Sequence, residues 1–218
     1  MPIYGLDPAD IRFPDPCQAL DDPNGLLAMG GDLSPVRLLE GYRHGIFPWY
    51  SPDDPILWWS PDPRTVLFPD EIIIHRSLRK TLGRHVFDVR VDADFAGVLE
   101  GCASPRPGQD GTWISAEMRM AYRRLHGMGH AHSIECWQDE RLVGGLYGVS
   151  MGRVFFGESM FSRVSDASKV ALVALCQGIL GFIPTLIDCQ FSTRHLQSLG
   201  ARPIPRTAFL DLLRRYAS

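Results

Sequence analysis

A pattern of apolar residues interrupted by glycines runs from Leu142 to Ala171 and predicts two strands, a tight turn and the start of a helix. The first strand covers Leu142 to Val149, and the returning strand covers Arg153 to Met160. Glycine inside a strand marks a bulge or a place where a ligand approaches the backbone closely. We therefore expect the rest of the chain to be organised around this hairpin.

The patterns on either side of the hairpin divide the chain into two parts. Residues 1–62 are rich in Pro, Gly and Asp and predict a short helix, Arg37 to His44, with Ser34 as its cap and Pro35 as its first residue. From residue 63 the composition shifts toward regular structure. The predicted strands there are Thr65–Phe68, Glu71–Ile74, Phe87–Val91, His132–Trp137 and Thr185–Phe191, and the predicted helices are 75–85, Phe95–Ala103, Glu117–Met128, Asp166–Leu180, His195–Gly200 and Phe209–Tyr216, with Ser165 or Asp166 capping the fourth of these helices. We expect an α/β (α+β) fold with a small domain at 1–62 and a larger one at 63–218.

Composition excludes several classes of protein. The 218 residues are 45% hydrophobic and 22% charged, with a formal net charge of -3, so any contact with nucleic acid must come from a local patch. The chain lacks a run of roughly 18 apolar residues and a basic start followed by an apolar stretch, so neither a membrane helix nor a secretory signal is expected. Its five cysteines form no CxxC pair, which predicts free thiols, no metal centre and a cytoplasmic location.

Glu158 is the acidic side chain of the returning strand and lies among aromatic and Met residues. A carboxylate is costly to bury unless a cation or hydrogen-bond donors meet it. The residues allow two interpretations: a pocket with an apolar wall and an acidic anchor, or a core hairpin whose carboxylate reaches solvent.

Asp188 and Gln190 are two residues apart on a short apolar strand, so they point to the same face of it. A carboxylate can orient an amide or take a proton from a shared target. An edge strand wetted on one side explains the pattern equally well.

Aromatic and basic residues form two further groups. Trp49 lies in a proline-rich segment with Phe47, Tyr50, Trp58 and Trp59. We expect most of these rings to form a small core, and one or two of them could stack on a base. The residues Arg76, Arg79, Lys80 and Arg84 follow a helical repeat without an acid between them. They predict either a solvated face or a patch that contacts phosphates.

Longer motifs are far more specific. The chain contains PNGLLAMGGDLSP at 23–35, YRHGIFPWYSP at 42–52, PILWWSPDPR at 55–64, EGCAS at 100–104, GTWI at 111–114, YRRLHGMGHAHSIE at 122–135, FGESMFSR at 156–163 and LIDCQ at 186–190. In these motifs the chain resembles the leucyl/phenylalanyl-tRNA–protein transferase family from about Phe13 to about Pro205.

The resemblance implies an enzyme that moves Leu or Phe, and Met less well, from aminoacyl-tRNA to a protein with an N-terminal Lys or Arg. The new N-terminal residue marks that protein for N-end-rule degradation. The implied fold is a small N-terminal domain followed by a GNAT-like acyltransferase domain, a fold that the order of the elements also fits. The ester of the donor is already activated, so no cofactor and no metal is expected, and a monomer is expected. Two alternatives are an acetyl-CoA-dependent N-acetyltransferase on the same fold and a non-enzymatic RNA-binding module. The segment that opens the main helix, RVSDASKVA, has no glycine to hold a pyrophosphate, which argues against the first. Strong tRNA binding without transfer to a peptide that begins with Lys would support the second.

The resemblance also implies roles for individual residues. Asp188 and Gln190 stand where the family activates the attacking amine, with Asp188 accepting a hydrogen bond from Gln190, and Glu158 matches the family's pocket carboxylate. The matches to the amino-acid pocket are Leu146, Phe155, Gly157 and Met160, with Leu146 in place of a Met. The matches to adenosine-binding residues are Trp49, Trp113 and Tyr42, and the matches to the acceptor-stem contacts are Arg76, Arg79, Lys80 and Arg84.

Overall fold

The computed structural model describes residues 3–104 and 114–217, which form two β-sheets flanked by helices. The elements of the N-terminal part are β1 Tyr4–Leu6, β2 Leu26–Gly30, α1 Pro35–Arg43, β3 Phe47–Pro48 and β4 Leu57–Trp59. The elements that follow are β5 Arg64–Leu67, α2 Arg76–Gly83, β6 Asp88–Val91, α3 Phe95–Ala103, α4 Ala116–Gly127, β7 Ala131–Gln138, β8 Arg141–Met151, β9 Val154–Ser162, α5 Ala167–Cys176, β10 Leu186–Gln190, α6 Arg194–Ser198, β11 Arg202–Ile204 and α7 Arg206–Tyr216. The mixed α/β architecture is therefore confirmed.

The smaller sheet has the strand order β1-β2-β4-β3 and the larger sheet the order β11-β5-β10-β9-β8-β7-β6 among the described residues. In the larger sheet β9 and β10 run parallel, whereas the other neighbouring strands are antiparallel. Parallel neighbours need a crossover connection, and α5 supplies it. The predicted hairpin β8–β9 lies in the middle of the larger sheet.

Most of the predicted elements are present, and three details are wrong. The segment predicted as strand Glu71–Ile74 is not a strand: a 3₁₀ turn, Pro69–Glu71, ends at its first residue, and the residues after it have no regular structure. Helix α5 ends at Cys176 rather than Leu180. Asp166 precedes α5 with a φ of 68°, and its carboxylate binds Lys169 and Thr81 instead of capping the helix.

Neighbouring residues of the central hairpin face opposite sides of the larger sheet. Tyr147 and Phe156 belong to a core shared with α3, α4 and the N-terminal part of the chain. Leu146 and Phe155 belong to a second core, which α5 covers. The N-terminal part is thus packed on one face of the larger sheet, and the boundary between the two sheets lies between Trp59 and Arg64.

The glycines of the hairpin serve two different purposes. At Gly148 the register shifts, and a Cβ atom would lie 2.1 Å from the carbonyl oxygen of Phe156, so glycine is required by the approach of the next strand. At Gly157 a Cβ atom would make an ordinary 3.4 Å contact with the carbonyl oxygen of Asp188. Of these two glycines, Gly157 lines a cavity and Gly148 does not.

The helices of the described ranges are all too short or too polar to cross a bilayer.

Candidate active site

A cavity opens where the parallel strands β9 and β10 stop pairing. The pairs run from Leu186 opposite Val154 to Asp188 opposite Phe156. Beyond them, Glu158 on β9 and Gln190 on β10 both line a cavity of about 430 Å³. Its wall contains the four predicted pocket residues, Leu146, Phe155, Gly157 and Met160, together with Leu172, Leu175 and Ile187. The structure therefore brings the predicted pocket residues together beside two of the predicted polar ones.

Glu158 is held by two buried tyrosines. The Tyr42 hydroxyl donates a hydrogen bond to Glu158 Oε1 at 2.8 Å, and the Tyr122 hydroxyl donates one to Glu158 Oε2 at 2.6 Å. Burial raises the pKa of Glu158 to about 7, although both hydrogen bonds act in the opposite direction. Burial and the Glu158 charge raise the pKa of both phenols well above the ordinary value, so they remain donors. Glu158 is thus a carboxyl group that can change its charge near neutral pH.

Tyr42 does not offer a stacking surface. Its side chain is fully buried, lies beside the Phe156 ring and meets the Tyr122 hydroxyl at 2.6 Å. The expected contact of Tyr42 with adenosine is therefore corrected, because the ring supports Glu158 from behind the cavity wall. Tyr122 was missed by the sequence analysis, since nothing in the pattern of a helix shows which residue of another strand its inner face meets.

Asp188 forms a buried ion pair with Arg64, a residue that the sequence analysis did not single out. Arg64 Nε donates to Oδ1 at 2.8 Å and Nη2 donates to Oδ2 at 2.6 Å, while Nη1 donates to the Gly45 carbonyl oxygen at 2.9 Å. The guanidinium lies 4.7 Å from the ring centre of Phe47 and 4.6 Å from that of Phe209. Both charged side chains are fully buried, so Asp188 is engaged before any substrate arrives.

Gln190 reaches the cavity through a break in strand geometry. Its φ is 55°, and the pairing of β10 with β5 shifts between Asp188 and Gln190. The Gln190 backbone N–H donates to Asp188 Oδ1 at 3.0 Å, whereas the side-chain Nε2 lies 3.5 Å from Oδ2, at the outer limit of a hydrogen bond. The predicted hydrogen bond from the Gln190 amide to Asp188 is thus the weaker contact, and Asp188 mainly holds the backbone of Gln190.

A smaller recess with aromatic walls adjoins the cavity and shares Glu158 and Gln190 with it. Trp49 lines the recess and is 41% exposed, with its ring centre 5.4 Å from that of Phe191. The other rings of this proline-rich segment, Phe47, Tyr50, Trp58 and Trp59, are buried, as expected for a small core. Trp113 lies outside the described residues.

The four basic residues Arg76, Arg79, Lys80 and Arg84 lie on α2 and at its end, and all four are exposed. None of them forms an ion pair with an acidic residue within ranges 3–104 and 114–217. Their charge is therefore available to an anionic partner.

Comparison with known proteins identifies relatives along nearly the whole chain. A family model described as leucyl/phenylalanyl-tRNA protein transferase matches residues 66–214, and a model of the N-terminal domain of the same family matches residues 31–62. The chain is 58% identical to the leucyl/phenylalanyl-tRNA–protein transferase of Pseudomonas aeruginosa over 97% of this chain and 93% of that protein. It is 59% identical to the enzyme of the same name from Stutzerimonas stutzeri, over 94% and 90% of the two chains.

Solved structures give a more distant likeness. A GCN5-related N-acetyltransferase from Kribbella flavida has a TM-score of 0.36 at 13% identity, covering 74% of this chain and 58% of that one. L-PGS from Bacillus licheniformis has a TM-score of 0.39 at 12% identity, covering 73% and 54%.

Proposed function

Because this chain belongs to the leucyl/phenylalanyl-tRNA–protein transferase family, we propose that its cavity binds the Leu or Phe side chain of an aminoacyl-tRNA. As a member of that family it is an aminoacyltransferase that uses an aminoacyl-tRNA and a protein. We further propose that Met is a weaker donor, that the acceptor begins with Lys or Arg, and that the product enters N-end-rule degradation. An aminoacyl-tRNA donor implies a cytoplasmic enzyme, and we propose that the enzyme acts as a monomer.

The apolar cavity beside Glu158 and Gln190 is the observation that carries the proposal. Its volume of about 430 Å³ lies within the range of small-molecule sites and leaves room for a Leu or Phe side chain. Trp49 supplies an exposed ring on which the terminal adenine can stack. The ring lines the recess, which borders the cavity at Glu158 and Gln190.

The polar residues divide the chemical work. The acceptor amine attacks the ester carbonyl, a C–N bond forms, and the C–O bond to the ribose breaks as the oxygen takes a proton. An α-amino group has a pKa of roughly 8, so a carboxylate with a pKa of about 7 is close enough to accept its proton. Gln190 offers an amide donor to the developing oxyanion. Asp188 acts through Gln190 by holding its backbone, and Arg64 fixes Asp188.

A transfer assay tests the proposed function directly. Labelled Leu-tRNA is supplied with peptides that begin with Arg, Lys or Ala. We expect label in the first two peptides and little in the third, because the Glu158 carboxylate on the cavity wall favours a cationic acceptor. Equal transfer to all three peptides would contradict the acceptor assignment, and no transfer to any of them would contradict the function.

Enlarging the amino-acid pocket should change the preference between donors. Leu146→Ala removes bulk from the wall and should raise the Phe-to-Leu ratio of kcat/KM roughly tenfold, since hydrophobic pockets distinguish such side chains by about 1–3 kcal/mol. The ratio is measured with both charged tRNAs in competition. Leu142→Ala, on the same strand outside the cavity wall, is the control. An unchanged ratio would remove Leu146 from the pocket.

Removing charge from α2 should weaken tRNA binding and its salt dependence. Each phosphate contact contributes about one unit to the slope of log K against log salt, so Arg76→Ala with Lys80→Ala should lower the slope by roughly two. Arg214→Ala with Arg215→Ala removes the same charge from α7 and should leave the slope unchanged. Equal slopes for both double variants would make α2 a solvated face.

A further inference from the structure

A second groove opens beside the cavity and has a different chemical character. It has a volume of about 540 Å³ and shares Met160 and His195 with the cavity. We propose that it binds the phosphodiester backbone of the nucleotides that precede the terminal adenosine of the donor tRNA. This inference rests on the proposed function, because it concerns a further part of the same donor.

The lining of the groove suits phosphate oxygens. Arg163 and Lys169 contribute cations, and Ser162 and Ser168 contribute hydroxyl groups whose oxygens lie 2.8 Å apart. Among the described residues of the lining, Asp166 is the acidic one, and its Oδ1 accepts from Lys169 Nζ at 2.8 Å. Lysine and hydroxyl side chains are common partners of nucleic-acid phosphates.

The groove also lies next to α2, the helix that carries the exposed basic residues. Thr81 of that helix donates to Asp166 Oδ2 at 3.1 Å, which places the end of the helix against the rim of the groove. An RNA strand that leaves the helix patch can therefore enter the groove and reach the cavity at Met160. The recess with Trp49 borders the same cavity and shares Glu158 and Gln190 with it.

The acceptor protein fits the groove less well. An acceptor that begins with Lys or Arg carries positive charge at the end that must reach the cavity. Arg163 and Lys169 would repel that charge, whereas they attract a phosphodiester. The groove therefore favours RNA over the acceptor chain.

Short probes separate the groove from the rest of the site. Fluorescence anisotropy measures the binding of a labelled CCA trinucleotide that carries no amino acid. This measurement does not depend on the transfer reaction. Lys169→Ala should weaken its binding about tenfold, because a charge-assisted hydrogen bond to phosphate is lost. In transfer assays the ratio of kcat/KM for leucyl-CCA over leucyl-adenosine should fall by a similar factor, since the nucleoside ester has no phosphate.

Asp166→Asn should have the opposite effect. Asparagine tolerates a positive φ and can still accept from Thr81, but it frees Lys169 from its ion pair. CCA binding should become severalfold tighter, whereas a merely structural role for the pair would weaken binding in both variants. Arg141→Ala, which removes an exposed charge from the β7–β8 turn, is the control for net charge.

Three outcomes would overturn the proposal: equal CCA affinity in the unaltered enzyme and Lys169→Ala, weaker binding in both variants, or a raised KM for the acceptor peptide alone. Failure of the unaltered enzyme to transfer leucine from any donor would contradict the proposed function instead. In that case weaker CCA binding by Lys169→Ala would still support the groove.

Discussion

Replacing Glu158 by Gln should lower kcat/KM for transfer roughly 100-fold and should also stabilise the folded protein above pH 7. The loss follows from the removal of the carboxylate that we propose as the proton acceptor for the attacking amine, since a positioned general base typically contributes about 10²–10⁴-fold. The gain follows from burial, which makes the ionised form of this side chain unfavourable in the folded state.

The direction of the stability change depends on pH. Folding raises the pKa of Glu158 from 4.5 to about 7, so between these values the folded state binds the proton more readily than the unfolded state does. Stability therefore falls as pH rises through this window, by at most about 3 kcal/mol at completion. Gln carries no such penalty, and the advantage of Glu158→Gln should grow from pH 4.5 to pH 7 and then level off.

Urea denaturation at several pH values measures the stability difference, and transfer assays measure the loss of activity. Tyr122→Phe is an informative companion, because it removes one donor to Glu158 and keeps the ring. It should raise the pKa of Glu158 further and shift the acidic limb of the rate profile to higher pH. A Glu158→Gln enzyme with normal activity, or one without a pH-dependent gain in stability, would contradict the assignment.

Breaking the ion pair between Arg64 and Asp188 should remove both stability and activity. Asp188→Asn and Arg64→Met should each lower the free energy of unfolding by about 3–5 kcal/mol, since each leaves an uncompensated buried charge. Transfer should fall greatly in Asp188→Asn, because Asn keeps one acceptor oxygen, for which the Gln190 N–H must compete with Arg64. Affinity for tRNA should change little in the folded fraction, because Asp188 does not line the cavity.

A double variant distinguishes positioning from proton transfer. If the two residues act as one unit, Arg64→Met combined with Asp188→Asn should cost clearly less than the sum of the single changes. The pH dependence of the residual rate should keep its shape, because Glu158 is retained. Additive losses, or the disappearance of one titrating limb in Asp188→Asn alone, would instead make Asp188 a proton acceptor.

Matching the residues with the structure shows where local information suffices. Helix α1 begins after Ser34, whose hydroxyl accepts from the Arg37 N–H at 3.4 Å, and α3 spans the predicted Phe95–Ala103. Strand alternation also explains why Leu146 and Phe155 lie on one face of the larger sheet, whereas the pocket residues themselves were indicated by the family motifs. Backbone propensity, capping and strand alternation depend on neighbours in the chain, so these features can be inferred without a tertiary structure.

The sequence by itself determined most of the elements, because each depends on residues a few positions apart, and its family motifs indicated the pocket residues and the polar Glu158 and Gln190. Tertiary structure alone decided how those polar residues are charged and held. Tyr42 reaches Glu158 across 116 residues, and Arg64 reaches Asp188 across 124. Long-range partners of this kind leave no periodic signal, since they meet only after separate strands and helices have packed around the same cavity.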